Sequence, residues 1–294
     1  MGLKTLVISK HSKLELSLSS VVIRSVDGES MISIDDLNLV IIESTSVAIT
    51  VALLSELVAK KVKIIFCDEK HNPQFECMPY YGTQDTSLKV KKQIHWTEEA
   101  KKNVWKRIVE MKIQNQARVL FKAGADESYK MLLDYCDNVL PGDITNREGH
   151  AAKVYFNTLF GVSFSRKQDI PLNAKLNFGY ALLLSMVGRE IASLGYITQI
   201  GIHHDNQDNQ FNLACDFMEP FRPIIDSIVI NNFMDNKFDT DVKHALIDKI
   251  VKTKVIMDNK VFSLGYGVGL FVQSVIEAVE QNTVLSIREF EYEY

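Results

Sequence analysis

Cysteine is sparse in this 294-residue chain. The four present, Cys67, Cys77, Cys136 and Cys215, are scattered with no C-x-x-C pair. That excludes a disulfide scaffold and a cysteine-based zinc site, and it fits a reducing cytosol. No run approaches the roughly 20 apolar residues of a membrane span, and the opening MGLKTLVISKHSK lacks the apolar stretch of a signal peptide. Leu6 stands where a myristoylation pattern needs Ser or Thr. The expectation is a cytoplasmic protein with no membrane partner. Positive charge is not in surplus either, and a net charge of −4 speaks against a generic nucleic-acid binder. Internal repeats and low-complexity segments are missing, as is any Ser-His-Asp or Cys-His signature of a protein nucleophile.

What is there is the composition of an ordinary globular protein, 46% hydrophobic and 24% charged, with its charge unevenly placed. Between Thr86 and Ala125 ten Lys or Arg (Lys89, Lys91, Lys92, Lys101, Lys102, Lys106, Arg107, Lys112, Arg118, Lys122) stand against three acids. Acids cluster farther on. A basic stripe beside an acidic pocket suits metal-dependent work on a polyanion; a solvated helix face explains the stripe as well.

Residues 1–76 read as a small β-rich domain. KLELSLSS alternates with Leu14, Leu16 and Leu18 on one side, and Asp27-Gly28 between two β-branched runs signals a hairpin. Two apolar runs, NLVIIES and VKIIFCD, flank SVAITVALLSELVAKK, an amphipathic pattern of about four helical turns. The stretch KHNPQFECMPYYG breaks the pattern, and 77–85 is the expected linker. From 86 to 294 the pattern is helical throughout. Helices are expected over 86–121, 127–139, from Thr145 or Asn146 onward, over a most apolar central segment ending near Gly201, and near 211–233, 239–254 and 263–281. The tail VLSIREFEYEY is ambiguous. The fold class is therefore α+β, a small N-terminal β-rich domain followed by a larger all-helical catalytic domain.

In TNREGHAAKVYFNTLFG, Glu148 falls on the helix face of Ala151, Ala152, Tyr155 and Leu159, the face that should be buried. A buried carboxylate must be paired, protonated or bound to a metal. GIHHDNQDNQFNLACDFMEPFRP, residues 201–223, is dense in ligand chemistry: His203, His204, Asp205, Asp208, Asp216 and Glu219. Asp216 and Glu219 at i and i+3 project from one helical face. One histidine with two carboxylates suits Mn²⁺ or Mg²⁺ with open water positions better than a closed zinc site. Helix caps and a surface His-His loop would account for the same residues.

NREGHAA with its tyrosine, then G-x-x-H, then D-x-M-E-P-F-R-P, in order and at compatible separations, resembles the signature of the CRISPR-associated adaptation integrases, the Cas1 family. The likeness covers nearly the whole chain. The contexts REGHAAKVYFNTLFG and NQFNLACDFMEPFRP look most like the type II-A branch. The resemblance implies a prokaryotic endonuclease and integrase with a Mg²⁺ or Mn²⁺ site formed by Glu148, His204 and Glu219. His204, not His203, fits G-x-x-H counted from Gly201, although the doubled histidine departs from the usual pattern. Asp216 would be a supporting acid that orients a ligand, with Asn206 and Tyr155 lining the site or serving as loop-former and core tyrosine.

The implied reaction joins 3′-hydroxyl ends of short DNA fragments, new spacers, to a repeat array by transesterification, with no protein nucleophile. Candidate phosphate contacts are Arg147, Arg166, Lys167 and Arg222 near the metal, and Lys89, Lys91 and Lys92 on the basic stripe. Two insertions on opposite strands require two sites, hence a homodimer paired through the first domain. In the family two such dimers are bridged by a small dimeric Cas2 partner into a heterohexamer, with the Cas9 effector and a DNA-end-binding protein as further candidate partners. Two other readings share the residues: a metal-dependent phosphohydrolase of small substrates, and a non-catalytic DNA-binding assembly subunit.

Overall fold

A computed structural model of the chain describes residues 4–69, 73–77 and 85–292. The chain divides into two compact units, Met1–Tyr81 and Gly82–Tyr294. Most of the expected linker, 78–84, lies outside the described residues.

The first unit is β-rich, as its alternating and continuous apolar runs require. Strands β1 (Lys4–Ile8), β2 (Ser12–Ser17), β3 (Ser20–Ser25), β4 (Gly28–Ser33), β5 (Leu37–Ile42) and β6 (Val47–Ile49) precede helix α1 (Val51–Ala59). Strands β7 (Lys63–Cys67) and β8 (Pro73–Cys77) follow it. One sheet runs β1-β5-β7-β8, parallel except for β8; the other runs β4-β3-β2-β6. Leu14, Val21, Val40, Leu53, Leu57 and Ile64 form part of one core between them. The Asp27-Gly28 hairpin is present, with Gly28 at φ +121°, a conformation open to glycine. Two expectations are corrected here. Leu18 is not on the strand face: Leu18 and Ser19 form the β2–β3 turn at positive φ, and Leu18 is 91% exposed. The four-turn helix is shorter, because Val47–Ile49 pairs parallel with β2 and Thr50 caps α1 by accepting from the Leu53 N–H.

The second unit is helical: α2 (Thr86–Ile94), α3 (Glu98–Lys122), α4 (Asp126–Asp137), α5 (Arg147–Phe160), α6 (Pro171–Ser193), α7 (Asn212–Met218), α8 (Arg222–Asn232), α9 (Thr240–Lys252) and α10 (Leu264–Gln281). The expected 86–121 helix is two helices, since Thr97 turns extended and accepts from the Ala100 N–H at 3.2 Å to start α3. The expected 211–233 helix is interrupted at Glu219–Phe221 by a 3-10 turn in which Pro220 supplies no N–H. Helix α6 stops at Ser193, with Gly195 at φ +87°, short of the end expected near Gly201. "All-helical" also needs correcting. Strands β9 (Lys254–Met257) and β10 (Lys260–Ser263) form a hairpin through Asp258 and Asn259, both at positive φ, and β11 (Glu291–Tyr292) pairs with β9. The ambiguous tail thus ends as an edge strand, with Phe290 stacked 4.1 Å from Phe221. No helix among the described residues is long and apolar enough to cross a membrane.

Candidate metal centre

Helix α3 carries the floor of the site. Its buried residues include Trp105, Ile108, Met111, Lys112 and Asn115, so a lysine lies among apolar neighbours on a helix that is otherwise lysine-rich at its surface. Lys112, 7% exposed, donates from Nζ to Glu148 Oε1 at 2.5 Å and also to Glu219 Oε2. The partner that Glu148 needs is therefore first of all Lys112, a residue that sequence reasoning counted only in the basic stripe. Burial works against its charge, and Glu219 and Glu148 override that, holding the ammonium above its ordinary pKa.

Glu148 sits in the first turn of α5, and the chain start explains the E-G pair. Asp143 accepts the N–H groups of Arg147 at 2.8 Å and Glu148 at 3.0 Å. Asn146, at φ 53°, accepts that of Gly149 at 3.2 Å. A Cβ on Gly149 would lie 2.6 Å from the Asn146 Oδ1, so only glycine leaves the cap in place. Of the two caps expected, Asn146 serves. Asp143 was missed, although an acid just before a helix start is a readable signal.

Glu219 opens the 3-10 turn between α7 and α8. It is 3% exposed, and both its oxygens are engaged, Oε2 by Lys112 and Oε1 by Arg222 Nε at 2.7 Å. Burial alone would raise its pKa; Arg222 and Lys112 together pull it down to about 2. Asn115, three residues beyond Lys112, donates to the Pro220 carbonyl at 2.8 Å and fixes the turn to α3.

Asp216, fully buried on α7, organises the histidine loop. It accepts the N–H groups of Ile202 (2.7 Å), His203 (3.1 Å) and His204 (3.1 Å), and its Oδ1 lies 2.6 Å from His204 Nδ1. A Cβ on Gly201 would lie 2.3 Å from the His204 carbonyl oxygen and 2.7 Å from Asp216, which is why glycine precedes this pair. The Asp216 bond raises the His204 pKa, burial opposes it, and the charges of Glu219 and Glu148 add to it. With Nδ1 held by a carboxylate, Nε2 is the nitrogen left for a ligand. His203 has a different place: its ring stacks on Trp105 at 4.2 Å with planes 5° apart.

Among the described residues no three His, Cys, Asp or Glu side chains converge closely enough to hold an ion. The donor chemistry nonetheless fits a divalent cation. Two carboxylates from α5 and the 219–221 turn already share one cation, Lys112, and a carboxylate-oriented imidazole lies within their field.

The remaining candidates separate. Asn206 is a loop-former, accepting from Asp208 N–H and from Asn212 Nδ2. Tyr155, fully buried, faces Asp226, as does the Tyr180 hydroxyl, which donates to Asp226. Arg222 lies over the Tyr180 ring at 4.7 Å. Arg166 is held by Asn173 and Asn177 over the same ring, and Arg147 lies over Tyr135. Lys89 pairs with Asp85 and Lys92 with Glu280, whereas Lys91 and Lys167 are exposed. Farther along the stripe Arg107 reaches Glu289 and Arg118 reaches Glu291, so the acidic tail neutralises part of it.

A family profile described as CRISPR associated protein Cas1 matches residues 5–258. The chain is 32% identical over the full length of both chains to the CRISPR-associated endonuclease Cas1 of Neisseria meningitidis serogroup C. Among solved structures it is similar to a casposase bound to integration product (TM-score 0.75, 20% identity, 96% of this chain and 92% of that one). It is also similar to a Cas1 protein from Thermotoga maritima (TM-score 0.70, 16% identity, 94% and 97%). A third similar structure is a Cas6-RT-Cas1–Cas2 complex (TM-score 0.71, 17% identity, 97% of this chain and 36% of that one).

Proposed function

The chain belongs to the Cas1 family of CRISPR-associated endonucleases and integrases, and from that premise we propose that it joins 3′-hydroxyl ends of short DNA fragments to a repeat array at a divalent-metal site made by Glu148, His204 and Glu219. The observation that carries the reading is the meeting of Glu148 and Glu219 on one cation beside a His204 oriented by Asp216. A Mg²⁺ or Mn²⁺ ion bound there supplies Lewis-acid stabilisation of the charge developing on phosphoryl oxygens. The chain's own residues do the rest. Glu148 and Glu219 offer anionic oxygens, and Asp216 locks the His204 tautomer so that Nε2 presents a lone pair. In the transfer a bond forms between the incoming 3′ oxygen and the target phosphorus as the target's P–O3′ bond breaks. One proton passes from the attacking hydroxyl to the released 3′ oxygen, so no enzyme acyl or phosphoryl intermediate is needed.

Lys91 and Lys167, exposed, are proposed phosphate contacts, and Lys89, Lys92 and Arg147 are weaker candidates because each already has an intrachain contact. Arg222 acts instead by holding Glu219, and Arg166 by packing over Tyr180. Work on two strands calls for a homodimer, and the Cas2 named with Cas1 in the similar complex is the proposed small partner. Membership of the type II-A branch, with Cas9 and a DNA-end-binding protein as associates, rests on the REGHAAKVYFNTLFG and NQFNLACDFMEPFRP contexts.

The experiment is strand transfer of a 3′-hydroxyl duplex into a supercoiled repeat plasmid, with the small partner present. Joining is expected with Mn²⁺ or Mg²⁺, lost in EDTA and lost in Glu219→Gln. Joining that persists in EDTA would overturn the metal site.

A further inference from the structure

The carboxylates of the site are balanced by the protein itself. Glu148 and Glu219 face two fixed cations, Lys112 and Arg222, and both oxygens of Glu219 are occupied. The third acid, Asp216, has its charge committed to three backbone N–H groups and His204. The side chains of Lys112 and Glu219 are 9% and 5% exposed and those of Glu148 and Arg222 24% and 26%, so solvent screens a charge added there only in part. A dication entering alone would take the four-residue cluster from neutral to a surplus of two positive charges, and would compete with Lys112 for Glu148 and Glu219. A dication entering with a phosphodiester adds one positive charge instead of two.

We propose that Lys112 is an internal cation that keeps the metal site closed in the free protein and so couples divalent-ion binding to DNA binding. The inference rests on the reading in which Glu148, His204 and Glu219 hold the ion. Lys112 acts as a positioning residue: it gathers two ligands before the metal arrives and competes with the metal for them. Its place on α3 makes the competition effective, since Asn115 on the same helix ties down the turn that carries Glu219. The turn cannot shift away from Lys112 without breaking that bond, and the Arg222 pair restrains the Glu219 side chain itself.

The test is Mn²⁺ binding, read from the loss of the free-ion electron paramagnetic resonance signal, in protein with and without a short 3′-hydroxyl duplex. DNA alone at the same concentration is the control. Wild type should bind Mn²⁺ roughly tenfold or more tightly with DNA than without, within the usual range of coupling between two sites. Lys112→Met should tighten Mn²⁺ binding by the free protein roughly tenfold and shrink the DNA effect. Lys112→Gln, which retains hydrogen-bond donors without the charge, should do the same. If neither variant folds, wild type still decides, because Mn²⁺ that binds equally well with and without DNA overturns the coupling. Folded variants with unchanged free-protein affinity overturn the role of Lys112 while leaving the metal site standing. Wild type that binds no Mn²⁺ in either state overturns the metal reading itself, and the inference with it.

Discussion

Three lysines of the helical unit are buried, Lys112, Lys175 and Lys243, and the partners of the first two differ in kind. Lys175 on α6 is fully buried, and its ammonium is satisfied mainly by backbone: the carbonyls of Phe233 (2.7 Å) and Asp235, with the exposed Asp235 carboxylate at 2.8 Å. Lys112 on α3 is satisfied by two carboxylates that arrive on separate elements, α5 and the 219–221 turn. Those carbonyls are fixed to the backbone, so Lys175 is a rivet between α6 and the segment at the end of α8. Carboxylates can change partner. On the proposed reading, a buried lysine shared by two carboxylates marks the metal site, whereas one held mainly by carbonyls marks an anchor.

The comparison breaks if the two lysines respond alike. The largest effect is expected at Lys112: Lys112→Met leaves Glu148 without its cation and Glu219 with Arg222 alone, and should cost about 3–5 kcal/mol of stability in the metal-free protein. Mn²⁺ should restore part of that loss, measured as the change in urea midpoint. A third buried ionisable group sharpens the contrast, because Asp226 accepts from the Tyr180 hydroxyl where Lys112 has opposite charges. Burial pushes its carboxyl up to about 6, with Tyr180, Tyr155, Arg166 and Arg222 pulling the other way. Its folded pKa exceeds the ordinary 3.8, so the native state holds the proton more tightly. That stabilisation is full below pH 3.8 and is lost as pH rises through about 6, by on the order of 3 kcal/mol. Denaturation of wild type and Asp226→Asn across pH 4 to 7 should show the difference, and parallel curves would contradict it. The smallest effect is expected at Lys175→Met, about 1–3 kcal/mol from carbonyls left without a donor. Added Mn²⁺ should not rescue it. Rescue of both methionine variants to the same extent would erase the distinction between rivet and site.

Ligand chemistry and spacing marked Glu148, the 203–208 loop, Asp216 and Glu219 as candidates in the sequence, and the resemblance to the Cas1 signature singled out His204; the E-G and G-x-x-H patterns have local causes in the Asn146 cap and the Gly201 contact. Lys112 was not legible. Whether a lysine in a basic helix is solvated or buried depends on what packs against that face, and Glu148 and Glu219 come from 36 and 107 residues away. The split of the 86–121 helix could have been read from Thr97 followed by Glu98 and Glu99, a cap with acids in the first turn. The β9–β10 hairpin was hidden because its turn, Asp258-Asn259, has no glycine and its strands are only four residues each. The basic stripe misled by counting charges without partners: Arg107 and Arg118 are taken by Glu289 and Glu291 of the tail.

The measurement that tests the account most directly is strand transfer by His204→Ala beside His203→Ala, each with the small partner and Mn²⁺. The account expects His204→Ala to lose joining roughly a hundredfold or more, since it removes a ligand and the bond to Asp216. His203→Ala, which loses a stack on Trp105, should keep most of it. A folded His204→Ala protein that joins ends as wild type does would contradict the site.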